Sequence, residues 1–135
     1  MRSSGVLMHL SSLPSPYGIG TMGKQAKQFV DFLEKAGQTY WQMLPICPTS
    51  YGDSPYQSPS GFAGNPYFID LDILCTKKLL KKSECKSYQW NEKDDTVDYA
   101  LLYKNRYDLL RKAKVRFLKM CHRSMDSSVK KKQTG

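Results

Sequence analysis

Apolar positions in the first 45 residues fall into two short runs separated by one helical stripe. Ser4–Leu10 (SGVLMHL) is apolar with a β-branched residue and leads into the Pro- and Gly-rich stretch Leu13–Gly20. That pattern predicts a buried strand entering a turn-rich loop. From Gly23 to Ala36 the apolar residues are Ala26, Phe29, Val30, Leu33 and Ala36, spaced three and four apart. They fall on one face of a helix, leaving Lys24, Lys27, Asp31 and Glu34 for water. Gly37 is placed to end it, because glycine tolerates the left-handed cap. Thr39–Leu44 (TYWQML) predicts a second strand, stopped by Pro45. Strand, helix and strand in this order read as a βαβ unit with parallel strands. Such strands are buried on both faces in a finished α/β protein, so the unit asks for further strands.

The pattern then changes. Residues 47–69 are dense in Gly, Pro, Ser and Tyr and fit neither period. They hold too many aromatic residues for a disordered linker, so they read as an ordered loop, a kind of segment that usually carries function. Leu71–Leu80 is apolar and turns basic over Lys77–Lys82. Asp94, Asp95 and Thr96 offer N-caps for a second long helix from about Asp98 to Cys121. Its stripe is Leu102, Arg106, Leu109, Leu110, Ala113, Phe117 and Met120, with Arg106 placed to snorkel from the apolar face. The polar tail 122–135 is expected to be disordered. No internal repeat is visible.

Charge sharpens this division. The net charge of +9 is uneven: residues 1–74 sum to −1 and residues 75–135 to +10. The high isoelectric point therefore describes the second half alone. The run Lys130–Lys132 reads as a solvated end rather than a nucleic-acid site, and no nucleic-acid partner is expected. The alternative of a basic nucleic-acid binder implies steeply salt-dependent, sequence-blind binding. No apolar run approaches the roughly 18 residues of a membrane span, and the N-terminus lacks the pattern of a signal peptide. The cysteines Cys47, Cys75, Cys85 and Cys121 form no C-x-x-C pair, and His9 and His122 add no zinc spacing. Reduced thiols in a cytoplasmic protein without metal or cofactor are the expectation.

Candidate chemistry lies in the loop. Tyr51-Gly52-Asp53-Ser54-Pro55-Tyr56-Gln57-Ser58 joins aromatic faces to small hydrogen-bonding side chains. A pyranose ring needs both, a flat surface for its C–H face and donors or acceptors for its hydroxyls. The same residues also suit a loop packed by its own tyrosines, and chemistry alone leaves these two readings level. Asp70 and Asp72 would share one face of a strand near a turn. Retaining glycosidases use carboxyl pairs about 5–5.5 Å apart, but nothing in the sequence raises a pKa here, and a solvated pair near a turn is the stronger reading. His9 ends the first strand, where an α/β barrel places function. A structural histidine is the stronger reading.

These residues carry a family resemblance. Ser4-Gly5-Val6-Leu7 through His9 and Ser12-Leu13-Pro14-Ser15-Pro16-Tyr17-Gly18-Ile19-Gly20 are similar to the opening of the 4-alpha-glucanotransferases (amylomaltases, disproportionating enzymes) of glycoside hydrolase family 77. The similarity continues through Phe29-Val30-Asp31-Phe32-Leu33, Ala36-Gly37-Gln38, Trp41-Gln42 and Leu44-Pro45. It is densest in Tyr51–Ser58 and Phe62–Tyr67 through Asp70-Leu71, and returns at Val97-Asp98-Tyr99 with Leu102-Tyr103. It implies an α/β fold, the N-terminal part of a (β/α)₈ TIM barrel. Residues 1–74 would form the first βαβ unit plus the Tyr-rich substrate loop, and 75–121 the start of a helical insertion subdomain.

The implied reaction transfers a segment of a 1,4-alpha-D-glucan to the 4-hydroxyl of an acceptor with retention, through a carboxylate nucleophile and a Glu acid/base. The family's catalytic carboxylates lie in later strands, so the resemblance places none among these residues. What it carries over is Tyr56 as a stacking residue near the cleavage point, Ser54 as a groove residue, and Tyr51 as a position in a second glucan-binding site. The implied partners are alpha-1,4-glucans and the rest of the barrel, if supplied separately. A non-catalytic glucan-binding module built on Tyr51 and Tyr56 is the alternative. The polar text after about Lys119 departs from the family.

Overall fold

A computed structural model describes residues 1–49, 54, 56–93 and 95–133. Strand β1 (Gly5–Leu7) is followed by a 3₁₀ turn at Leu10–Ser12, helix α1 (Lys24–Lys35) and strand β2 (Tyr40–Gln42). A second 3₁₀ turn at Pro66–Phe68 leads into α2 (Leu71–Thr76), α3 (Lys82–Lys86) and the long α4 (Tyr99–Gln133).

The βαβ unit forms, but its strands are three residues each and exposed at Gly5, Leu7, Tyr40 and Gln42 rather than buried, because among the described residues little packs over them. β1 and β2 pair in parallel, with Gly5 opposite Tyr40 and Leu7 opposite Gln42. Gly37 has φ +68°, and the N–H of Gln38 donates to the Leu33 carbonyl at 2.9 Å, so the chain leaves α1 through a left-handed residue. The α1 stripe is only partly covered. Leu33 is buried and Phe29 packs edge-on against Trp41 at 4.9 Å, but Val30 is 50% exposed. Two strands are too narrow to cover the whole face of the helix.

The main core lies elsewhere. Leu10, Leu13, Tyr17 and Ile19 from the turn-rich loop pack with Tyr67, Phe68 and Leu71, with Leu79, Leu80, Cys85 and Trp90, and with Leu102, Leu109 and Ala113 of α4. One cluster therefore spans the two halves that charge distinguishes.

Several sequence expectations change here. Asp70 and Asp72 do not share a strand face. Asp70 caps α2, its Oδ1 accepting from the Ile73 N–H at 2.8 Å, and Asp72 lies in the first helical turn. A carboxylate that satisfies a free helix N–H, with the helix dipole behind it, outweighs the strand pattern of two alternating acids. The cap of α4 is Asp98, whose Oδ1 accepts from the Leu101 N–H at 3.0 Å, rather than Asp95 or Thr96. Asp94 lies outside the described residues.

Arg106 does not snorkel. It is fully buried, and its guanidinium donates to the carbonyls of Tyr17 (3.3 Å) and Ile69. Two loop carbonyls without strand partners hold it inside. Finally, α4 runs to Gln133, past Cys121 and into the stretch expected to be disordered. No proline or glycine interrupts residues 122–133, so nothing in the backbone stops the helix.

Candidate functional site

Parallel pairing puts the carboxyl ends of β1 and β2 side by side. His9 follows one strand, and Leu44, Pro45 and Ile46 follow the other. Between them lies a cleft of about 220 Å³, lined among others by His9, Ser11, Ser12, Thr49, Asn65 and Phe68. Trp41 fixes the two strand ends by donating its Nε1–H to the Met8 carbonyl at 2.7 Å.

Asn65 closes the far side. Its N–H donates to the Ile46 carbonyl at 3.0 Å, and its Oδ1 accepts from the Tyr67 N–H at 2.9 Å. The loop is thereby stitched to the end of β2 before the 3₁₀ turn begins. Within the loop, Ser58 Oγ donates to the Ser60 carbonyl at 2.8 Å and Cys47 Sγ donates to the Gly61 carbonyl at 3.4 Å. The described part is thus tied by local bonds from its own polar side chains.

His9 has a dual character. Its ring meets Phe68 edge-on at 5.6 Å, and burial pulls its imidazole pKa below the ordinary value. The neutral ring keeps a buried Nδ1 with no hydrogen-bond partner among the described residues. Packing accounts for the ring, and the uncommitted nitrogen leaves it able to bond a polar group in the cleft.

Of the predicted loop residues, Ser54 and Tyr56 do not line this cleft. Ser54 is half-buried and its Oγ accepts a long bond, 3.4 Å, from the Tyr56 N–H. Tyr56 is 72% exposed, its ring turned to solvent. Tyr51 and Asp53 lie outside the described residues. Asp70 and Asp72 are committed to structural bonds: Asp70 Oδ2 accepts from Thr21 Oγ1–H at 2.7 Å, and Asp72 Oδ1 from the Tyr17 phenol at 2.9 Å. Tyr17 responds with a pKa raised by burial and by that carboxylate.

A second depression of about 370 Å³ adjoins the cleft through Ser11 and Ser12 and is lined by Ser15, Asn91 and Thr96. The buried Asn91 Oδ1 has no partner among the described residues. Nothing in the sequence marked Asn91, because it reaches the N-terminal loop only through the tertiary fold. Among the described residues no group of three or more His, Cys, Asp or Glu is arranged to hold a metal ion, and no helix is long and apolar enough to cross a membrane.

The profile of the 4-alpha-glucanotransferase family, glycoside hydrolase family 77, matches residues 8–134, so the match runs past Lys119 into the stretch expected to depart from the family. The chain belongs to this family. A 4-alpha-glucanotransferase of Clostridium butyricum is 56% identical over 110 residues, covering 82% of this chain and 23% of that protein. One from Streptococcus pneumoniae serotype 4 is 55% identical over 119 residues, covering 88% of this chain and 24% of that protein. Among solved structures, an amylomaltase from Streptococcus agalactiae in complex with acarbose superposes with TM-score 0.86 at 42% identity, over 98% of this chain and 27% of that one. The chain thus spans about a quarter of the length of these 4-alpha-glucanotransferases.

Proposed function

We propose that this chain contributes the first βαβ unit of a (β/α)₈ barrel and part of the glucan groove of a 4-alpha-glucanotransferase. The whole protein would move a segment of a 1,4-alpha-glucan to an acceptor 4-hydroxyl with retention, in the cytoplasm. The observation that carries this reading is the cleft at the carboxyl ends of two parallel strands, the place where barrel enzymes bind substrate. In this reading residues 75–121 begin a helical insertion. Tyr56 offers an exposed ring for stacking on a sugar face, Ser54 a hydroxyl beside it, and Tyr51 a second glucan contact. The acarbose bound by the amylomaltase relative supports a glucan-type ligand.

Catalysis is assigned to none of these residues. Retaining transfer requires one carboxylate to form and release a glycosyl-enzyme and a second to shuttle the proton. Asp70 and Asp72 are each held by a hydroxyl donor, and Asp70 also by a helix cap. The isolated 135-residue chain, incubated with maltotriose, is therefore expected to release no glucose and build no longer maltodextrins. Appearance of both products from the chain alone would overturn the assignment.

A further inference from the structure

Two residues past helix α2 the backbone is unusual. Lys78 has φ +60°, the left-handed region that a side chain enters only at a cost. Its N–H donates to the Cys75 carbonyl at 2.9 Å, and the next N–H, of Leu79, donates to the Leu74 carbonyl at 2.9 Å. This turn reverses the chain, buries Leu79 and Leu80, and sets α3 against α2. The reversal brings Cys75 Sγ to 3.8 Å from Cys85 Sγ. Both thiols are free, Cys85 fully buried and Cys75 half-buried.

We propose that Cys75 and Cys85 form a reversible disulfide, a redox-modified staple between α2 and α3 driven by exchange with small-molecule disulfides such as oxidised glutathione. The sulfurs already touch, and bonding requires them to close to about 2.05 Å. The solvent-facing Cys75 acts first. Its thiolate attacks one sulfur of glutathione disulfide, that S–S bond breaks, and one glutathione leaves and takes up the Cys75 proton. The Cys85 thiol then gives up its proton, and its sulfur attacks Cys75 Sγ. The mixed disulfide breaks and the second glutathione leaves as a thiol. Two protein thiols are oxidised, and one glutathione disulfide is reduced to two thiols.

The surroundings fit a staple rather than two inert thiols. Burial, and then the hydrogen bond with Cys75, push the Cys85 thiol up to about 12, so it resolves rather than initiates. The Trp90 indole N–H donates to the Cys85 carbonyl at 2.9 Å, placing a fluorescent reporter one residue contact from the new bond. Trp90 in turn meets Tyr17 edge-on at 5.9 Å, so the staple stiffens the support of the turn-rich loop that borders the cleft. Nothing in this inference depends on the glucan reading.

The test uses the full chain with Cys47→Ser and Cys121→Ser, which keeps the pair and removes the other thiols. In glutathione redox buffer, the intact mass is expected to fall by two hydrogens and to recover with dithiothreitol. Trypsin cuts at Lys77, Lys78, Lys81 and Lys82, between the two cysteines, so a linked pair of peptides identifies the bond. Oxidation is expected to be about tenfold more favourable in buffer than in concentrated urea, because only the fold holds the sulfurs together. Trp90 fluorescence is expected to change with oxidation in the pair-retaining chain and not after Cys75→Ser. Persistent free thiols, a stable glutathione adduct on Cys75, or equal oxidation in buffer and urea would each overturn the proposal.

Discussion

Asp70 ties two parts of the chain together through its two oxygens. Oδ1 caps α2 through the Ile73 N–H, and Oδ2 takes the Thr21 hydroxyl from the loop before α1. Gly23 makes room for it: a Cβ there would sit 1.9 Å from Asp70 Oδ2. Replacing Asp70 with Ala is expected to cost about 2 kcal/mol, roughly one for the cap and one for the Thr21 bond. Urea titration followed by circular dichroism checks it, and a loss under about 0.5 kcal/mol would remove Asp70 from this role.

Glu84 makes a second residue-scale case. Bidentate bonds from Arg116, at 2.6 and 2.7 Å, and then the Lys81 N–H hold its carboxyl down from 4.5 to about 2. As pH falls, the unfolded chain takes up this proton near 4.5 while the folded chain waits until about 2. The contribution is therefore complete above about pH 4.5 and drains away between there and pH 2. The Glu84 and Arg116 side chains are 25% and 35% exposed, so solvent screening keeps the contribution to about 1 kcal/mol. In Arg116→Ala, the difference in urea midpoint between about pH 5.5 and about pH 3 is expected to shrink; an unchanged difference would place the acid sensitivity elsewhere.

At the scale of elements, burial along α4 sorts the helix into two parts. Leu102, Arg106, Leu109 and Ala113 are buried, whereas Phe117 is 53% and Met120 49% exposed. Leu109→Ala is expected to cost about 2–5 kcal/mol through its cavity. Phe117→Ala, on the same stripe, is expected to cost under about 1 kcal/mol, because little of its surface leaves water on folding. Comparable losses in thermal unfolding would mean that the outer half of α4 is also packed.

This contrast shows what the pattern alone conveyed. Spacing located the helix and its apolar face but could not say how far a neighbour extends along it. The α1–β2 connection was legible because Gly37 must adopt a left-handed φ that few residues reach. The acids were not. Asp70 opens a helix through its bond to the Ile73 N–H, and the further partners of the two acids, Thr21 and Tyr17, lie about fifty residues away. The cleft was half legible: His9 stood out as the end of a strand, while Asn91 enters only when α4 draws its preceding loop over the first turn.

For the whole molecule, the decisive feature is apolar surface without cover among the described residues. Phe32 is 59% exposed, Leu7 60%, Tyr40 63% and Phe62 105%. An apolar groove of about 500 Å³ runs between Met22, Ile46, Pro66, Ile69 and Ile73. Among the described residues β1 and β2 pair only with each other, which leaves one edge of each strand unpaired there. Sheet edges and apolar faces of this kind favour association. This chain covers 27% of the amylomaltase relative at TM-score 0.86, which leaves most of that protein's length to be tested as the cover.

We predict that a separately produced segment of that amylomaltase, lacking the matched region, restores transferase activity when mixed with this chain. Disproportionation of maltotriose is expected only with both pieces present and to saturate as this chain is added. Phe32→Glu, which puts a charge on the uncovered α1 surface, is expected to raise the concentration needed for half-maximal activity by about tenfold, a penalty near 1.4 kcal/mol. It should leave the limiting rate unchanged, because Phe32 touches no part of the cleft. A lower limiting rate at an unchanged half-maximal concentration would show that α1 acts within the groove rather than at the joint between the pieces.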